Sequence, residues 1–118
     1  MEAAPAPTLA SPLGRISISH DAVAHIVGRV AAEAYGVVGM APRKWLPRRD
    51  RLLHGITVGG SAEEGVTIEL SVVVEYGLNL AEVASTLRNR VQYEVERLTG
   101  LRVASVEVRI QDVRRSTA

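Results

Sequence analysis

The densest chemistry in the sequence lies in the stretch PRKWLPRRDRLLHG at positions 42–55. Arg43, Lys44, Arg48, Arg49 and Arg51 surround Trp45, the single tryptophan of the chain, with Asp50 as the one acid among them. Five bases minus one acid give +4 over residues 43–51. An indole set among cations suits a membrane interface or an anchor site on another protein, because its body is apolar and its N–H is polar. Near an anionic membrane each basic residue is worth about 1 kcal/mol, and a nucleic-acid backbone would draw on the same charge with a steep salt dependence. Pro42 and Pro47 prevent a continuous helix here, so the plain alternative is a solvated basic loop.

A second constellation is Arg90, Tyr93 and Arg97, spaced i, i+3, i+7 on one face of an expected helix. Arg97 is expected to lie against the Tyr93 ring, a contact of about 0.5 kcal/mol on a solvated face. The functional alternative is a partner-binding surface, since exposed Tyr and Arg are residue types that anchor interfaces.

The remaining reactive side chains do not assemble into a recognisable centre. His20 and His25 are separated by roughly 140° around an expected helix, from 3.6 residues per turn, so they do not converge on one ion, and His54 stands apart. No serine sits in a GxSxG elbow. The adjacent pair Glu63 and Glu64 falls in a turn, where solvation rather than acid catalysis is expected, because a perturbed carboxylate needs burial. Gly55, Gly59, Gly60 and Gly65 spell neither a dinucleotide fingerprint nor a phosphate loop. Gly36 and Gly39 form GVVG, comparable to the GXXG loop of KH domains, but the segment that follows is apolar rather than basic. There is no cysteine, which removes disulfides, thiolate metal sites and thiol nucleophiles. The expectation is a non-enzymatic chain without cofactor, metal or small-molecule substrate.

The elements that position these residues are legible from periodicity. GRISIS at 14–19 alternates as a short strand. Ser19 then caps a helix with Val23, Ile26, Val27, Val30, Ala31 and Ala34 on its inner face, closed by a left-handed Gly36. VVGM at 37–40 is a brief strand. After the basic stretch, ITV and VTIELSVVVEYG form two strands around the turn GGSAEEG. In the longer strand Val66, Ile68, Leu70, Val72, Val74 and Tyr76 point one way, and Thr67, Glu69, Ser71, Val73 and Glu75 the other. Asn79 caps the next helix, with Glu82 three residues on and Leu78 and Val83 as a hydrophobic staple. Its apolar stripe is Leu80, Val83, Ala84, Leu87, Val91, Val95 and Leu98, ending at Gly100 with Leu101 folding back on Val95. The last strand turns Val106, Val108 and Ile110 inward and Glu107, Arg109 and Gln111 outward.

This order, β-α-β-β-α-β with room for one more strand, predicts an α+β two-layer sandwich with two helices on one face of a small mixed sheet. Residues 1–13, with two Ala-Pro pairs and no apolar core, read as a flexible tail rather than a secretory signal. Residues 14–113 form one domain, and 114–118 a short C-terminal tail. A chain of 118 residues supports one core, and with no Phe and 3% aromatics that core must be aliphatic. A net charge of +1 confines any attraction for anionic partners to a local patch. The outer face of the sheet, with Thr67, Glu69, Ser71, Val73, Glu75, Glu107 and Arg109, is expected to face water, and pairing with a second copy across it or along an exposed strand edge is the lesser alternative. These features are consistent with a cytoplasmic protein.

The succession GRISIS, GVVGM, HGITV and VTIELSVVVEYGLNLAEVASTLRNRVQYEVERLTGLRVASVEVRIQDV resembles the alkaline-shock-protein family of bacterial envelope stress response proteins, with VEYG, VQYEVERLTGL and VASVEVRIQDV the most telling parts. The resemblance covers about Gly14 to Val113. It implies a non-enzymatic, homo-oligomeric, cytoplasmic protein that works through protein partners in envelope stress and reaches the inner face of the membrane through a separate anchoring protein. Other members are associated with regulation of lipid-precursor metabolism. The resemblance supplies no catalytic or ligand-binding residue. Two departures stand out: the Arg-rich connector and the lack of long charged tails. A scaffold or regulatory protein is therefore the leading expectation. A direct binder of anionic lipid through residues 42–55 is the alternative, with nucleic acid the weaker form of it.

Overall fold

The structure, a computed structural model, describes residues 6–40 and 55–115. Its elements are β1 (Thr8–Ser11), β2 (Gly14–Ser17), α1 (His20–Glu33), β3 (Val37–Met40), β4 (Ile56–Ser61), β5 (Gly65–Glu75), α2 (Leu80–Thr99) and β6 (Val103–Arg114). The α+β expectation holds, with two strands beyond the minimal order: β3, and β1 in the segment read from sequence as tail. β1 and β2 pair antiparallel as a separate hairpin, from Thr8 opposite Ser17 to Ser11 opposite Gly14.

The main sheet is built around β5. Its β-branched run places Val66, Ile68, Leu70, Val72 and Val74 on the helix-covered face, each at most 1% exposed. On one side β5 pairs parallel with β6 along its length. On the other side it pairs antiparallel with β4 through residues 65–70 and with β3 through residues 72–74. β3 and β4 thus lie end to end along one flank, and the sheet is three strands wide.

Both helices pack on the same face. Val23, Val27, Val30 and Ala31 of α1 and its cap residue Ala34 join Val83, Leu87, Val91 and Val95 of α2 in one cluster with the inner row of β5, Leu101 and Val103. This core is wholly aliphatic. Fully burying a Val or Leu stabilises by about 1.5–3 kcal/mol, so the shared β5 surface accounts for much of the cohesion between layers.

The helix termini follow the sequence closely. Ala22 N–H donates to Ser19 Oγ at 3.0 Å, and Glu82 N–H donates to Asn79 Oδ1 at 3.1 Å. Gly100 is left-handed at φ 73°, and its N–H donates to Glu96 O at 2.9 Å. The end of α1 differs. The helix stops at Glu33 with Ala34 as an extended cap, while Gly36, at φ 86°, turns the chain into β3. A Cβ at Gly36 would meet Leu78 Cδ1 at 2.8 Å, so this turn also lets α1 and the start of α2 approach.

Other differences mark where one-dimensional periodicity meets packing. Tyr76 is 62% exposed rather than inward, because β5 ends at Glu75. Val73, assigned to the polar face, is 1% exposed, at a point where the β3 and β6 ladders both shift register. Leu80 and Leu98, assigned to the core stripe of α2, are exposed. Leu80 begins the helix, and Leu98 faces the gap between helices. Truncating the buried Leu87 to Ala should cost about 3 kcal/mol, whereas Leu98→Ala should cost about 0.5 kcal/mol or less. Urea unfolding monitored by circular dichroism checks this, as a lowered midpoint for Leu87→Ala alone.

Candidate functional site

α1 and α2 lie side by side and leave an outward groove of about 490 Å³ between them. Two rows at i, i+4 spacing line it: His25, Arg29 and Glu33 from α1, and Arg90, Glu94 and Leu98 from α2. Ile26 and Val30 form its apolar floor. The helices present these rows because their opposite faces are committed to the sheet. The result is an apolar trough edged by cations and carboxylates of both helices.

Of its lining residues, Glu94 is bonded to Arg97, one turn along α2. Arg97 Nη2 donates to Glu94 Oε2 at 2.8 Å and Nε to Oε1 at 3.3 Å, a two-pronged guanidinium–carboxylate bond. The hydrogen bond from Arg97 holds the Glu94 carboxyl below the usual glutamate range; partial burial opposes this, and the charges of Arg97 and then Arg90 reinforce it. The same hydrogen bond raises the Arg97 guanidinium further above its ordinary value.

The structure therefore corrects the expected Arg97–Tyr93 stack: the cation is taken by Glu94, one turn away on the same helix. Tyr93 stands 63% exposed beside this pair. Arg90 does reach the groove rim, where its charge acts on Glu94, the partner of Arg97. A cation–π contact among the described residues is instead Arg115 over Tyr76, at 5.5 Å. Arg43, Lys44, Trp45, Arg48, Arg49 and Arg51 lie outside the described residues. Glu94 and Arg29 escaped the sequence reading, although the two i, i+4 rows that carry them were visible in it, and Ile26 and Leu98 were assigned there to the core stripes of their helices rather than to a groove.

The GVVG comparison with KH loops fails on geometry, since Gly36 occupies a turn and Gly39 lies within β3. His25 is exposed in the groove, while His20 is half-buried with its Nε2 enclosed and unpartnered among the described residues. Among the described residues no three His, Asp or Glu side chains cluster as metal ligands, and no helix is long and apolar enough to cross a membrane. Groove shape, apolar floor and fixed rim charges are suited to holding a protein segment.

The sequence profile of the alkaline shock protein 23 family, described as having a cell envelope-related function, matches residues 8–115. The chain belongs to this family. Among relatives, it is 32% identical over 113 residues to the Bacillus subtilis (strain 168) protein named Uncharacterized protein YloU, covering 90% of this chain and 93% of that one. It is 26% identical over 106 residues to a Streptococcus pyogenes protein named stress response regulator gls24 homolog, covering 86% of this chain and 59% of the regulator. Among solved structures, MamM CTD in a point-variant form overlays with a TM-score of 0.49 at 15% identity, over 78% of this chain and 93% of that one. The family profile begins at residue 8, where β1 begins, so the hairpin is inside the family domain.

The ion pair on this family face makes a signed prediction. Because the folded Glu94 pKa is depressed, its stabilising contribution is present above the unfolded pKa and is lost as pH falls through the folded pKa. Carboxyl NMR titration should place the Glu94 midpoint below the usual glutamate range, and Arg97→Ala should move it upward. The stability difference between the two proteins should accordingly be present at neutral pH and close on acidification.

Proposed function

We propose that this chain is a non-enzymatic, self-associating scaffold or regulatory protein that serves the cell envelope by binding other proteins at the cytoplasmic face of the membrane. The observation that carries the binding part is the interhelical groove. It combines an apolar floor, an exposed Leu98 and a rim whose Glu94 is bonded to Arg97, with the exposed Tyr93 next to Glu94 in the chain. An apolar strip beside exposed Tyr and Arg is the composition of a protein-contact surface. The family's cell envelope-related function supplies the setting, and the relatives named as stress response regulators support a regulatory role.

No helix among the described residues is long and apolar enough to span a membrane, and two means of reaching its surface are supported. An anchoring protein seated in the groove is one means. The +4 stretch at 43–51 with Trp45 supports a second reading, in which the chain itself touches anionic lipid.

A photo-crosslinking residue placed at Leu98 in the native cell should yield discrete protein adducts, while the same group at Glu64, in the β4–β5 turn, should not. Tyr93→Ala combined with an Ile26→Asp change in the floor should reduce those adducts at least about tenfold, the equivalent of 1.4 kcal/mol. Equal labelling at both positions would remove the groove from the proposal. The lipid reading is separated by flotation with vesicles containing phosphatidylserine at low salt. Retention that disappears at high salt and in an Arg48→Glu, Arg49→Glu protein supports it, and absence of retention ends it.

A further inference from the structure

We infer that β6 is a self-pairing edge: two copies of this chain join β6 to β6 antiparallel about a two-fold axis centred on Val108, forming one continuous sheet. The inference rests on the self-association proposed above and specifies where it occurs.

Among the described residues β6 pairs with β5 alone, although it runs for twelve residues. The direction of the neighbouring hydrogen bonds identifies its free groups. Ser71 and Glu75 of β5 donate toward the opposite flank, to Gly55 O and Gly36 O, each at 2.8 Å. Val66 and Tyr76 instead donate toward β6, to Arg102 O at 2.7 Å and Arg114 O at 2.8 Å. The even-numbered residues of β5 therefore face β6. In a parallel ladder such a residue bonds to the two neighbours of its partner, and the partner's own N–H and C=O point away. The partners of Ile68, Leu70 and Val72 are Val106, Val108 and Ile110. These three residues present a row of backbone donors and acceptors along the outer edge, a template for another strand.

The sequence of that edge is complementary to itself in one register. With Val108 opposite Val108 of the second copy, Val106 faces Ile110 and Ile110 faces Val106, and all three are the residues whose backbone groups point outward. Their side chains, half-buried beside the core, then meet apolar partners on the helix face. In the intervening, non-hydrogen-bonded positions Glu107 faces Arg109 and Arg109 faces Glu107, where side chains approach most closely. Within one chain these two are already joined, Arg109 Nη2 to Glu107 Oε2 at 3.1 Å, with side chains 58% and 55% exposed. Pairing two copies turns two isolated bridges into a ring of four alternating charges. Centring the axis one residue earlier sets Glu107 against Glu107, and one residue later sets Arg109 against Arg109. Like charges directly opposite destabilise a ladder, so the slips are disfavoured and the Val108 register is selected.

Analytical ultracentrifugation of the full chain, with a spin label attached through Gln111→Cys at an exposed position of β6 and read by electron spin resonance, tests this. The wild type should be an oligomer containing a dimer contact, and the labelled protein should give a single 111–111 distance of about 20 Å, six residues of strand. Val108→Pro removes an outward N–H without breaking a bond to β5 and should abolish that contact, while Val108→Ala, which keeps the N–H, should retain it. Glu107→Arg should weaken association at least about tenfold, and the exchange Glu107→Arg with Arg109→Glu should restore it to within about threefold. Unchanged circular dichroism confirms that the variants fold. A wild type that stays monomeric at every concentration would overturn the self-association reading itself. An oligomer indifferent to Val108→Pro and to the charge reversal would leave that reading intact and overturn the assignment to β6.

Discussion

Everything in this molecule depends on the inner row of β5. Val66, Ile68, Leu70, Val72 and Val74 are simultaneously the floor for both helices and the middle of a sheet whose other strands meet only through β5. With no phenylalanine to fill gaps and each valine stiff at its branch point, the core is a lattice of small, rigid contacts. Such a core leaves little freedom in where α1 and α2 sit, because moving either one opens voids along the same strand. The groove is a consequence: two helices seated on one narrow sheet cannot close over each other on their outer sides.

The corner between α2 and β6 fixes the second surface. Gly100 reverses the chain, Thr99 Oγ1 donates to Val95 O at 2.6 Å, and Leu101 is buried in the core. Val103 N–H donates back to Glu96 Oε2 at 3.0 Å, and the Arg102 guanidinium reaches Glu63 O at 3.2 Å. These contacts tie the start of β6 to α2 and to the β4–β5 turn, so β6 enters parallel to β5 and takes the outermost place. A parallel strand arriving after a helix needs a partner on one side only, which is why its other edge is left with Val106, Val108 and Ile110 facing outward.

Much of this was legible in the residues. Ser19, Asn79 and Gly100 announced helix ends because capping is a local bond between neighbours in sequence. The two-residue alternation of β5 gave its inner face for the same reason. What escaped depended on contacts distant in the chain. Leu98 has the right spacing for the core stripe of α2 but stands above the gap left by α1, and no period within one helix reports a second helix. Val73 alternates with glutamates yet is enclosed where two ladders shift register together. Thr8–Ser11 looked like tail because four residues carry little periodicity, and only pairing with β2 makes them a strand. Arg97 was assigned to an aromatic ring when a carboxylate at i−3 offered two charged hydrogen bonds, the stronger interaction. The family resemblance supplied the setting but no site, since no single residue in it carries chemistry.

The two surfaces are placed so that using one does not consume the other. α1 packs toward β3 and β4, and α2 packs toward β6, so the helix layer runs from α1 to α2 in the same direction as the sheet runs from its β3/β4 flank to its free edge. The groove lies on the α1 side of α2, and the edge lies on the far side. A copy added in the plane of the sheet at β6 therefore approaches α2 from the side opposite Arg90, Glu94 and Leu98. Two joined chains would present two grooves on the same helical layer, related by the two-fold axis. A partner carrying one weakly binding segment per copy, and itself dimeric or crowded on a membrane, would then engage both at once, with the second contact strengthened by effective concentration rather than by any new interaction. In such an assembly the β6 edge supplies no recognition of its own. It would set the spacing at which two modest apolar grooves act together.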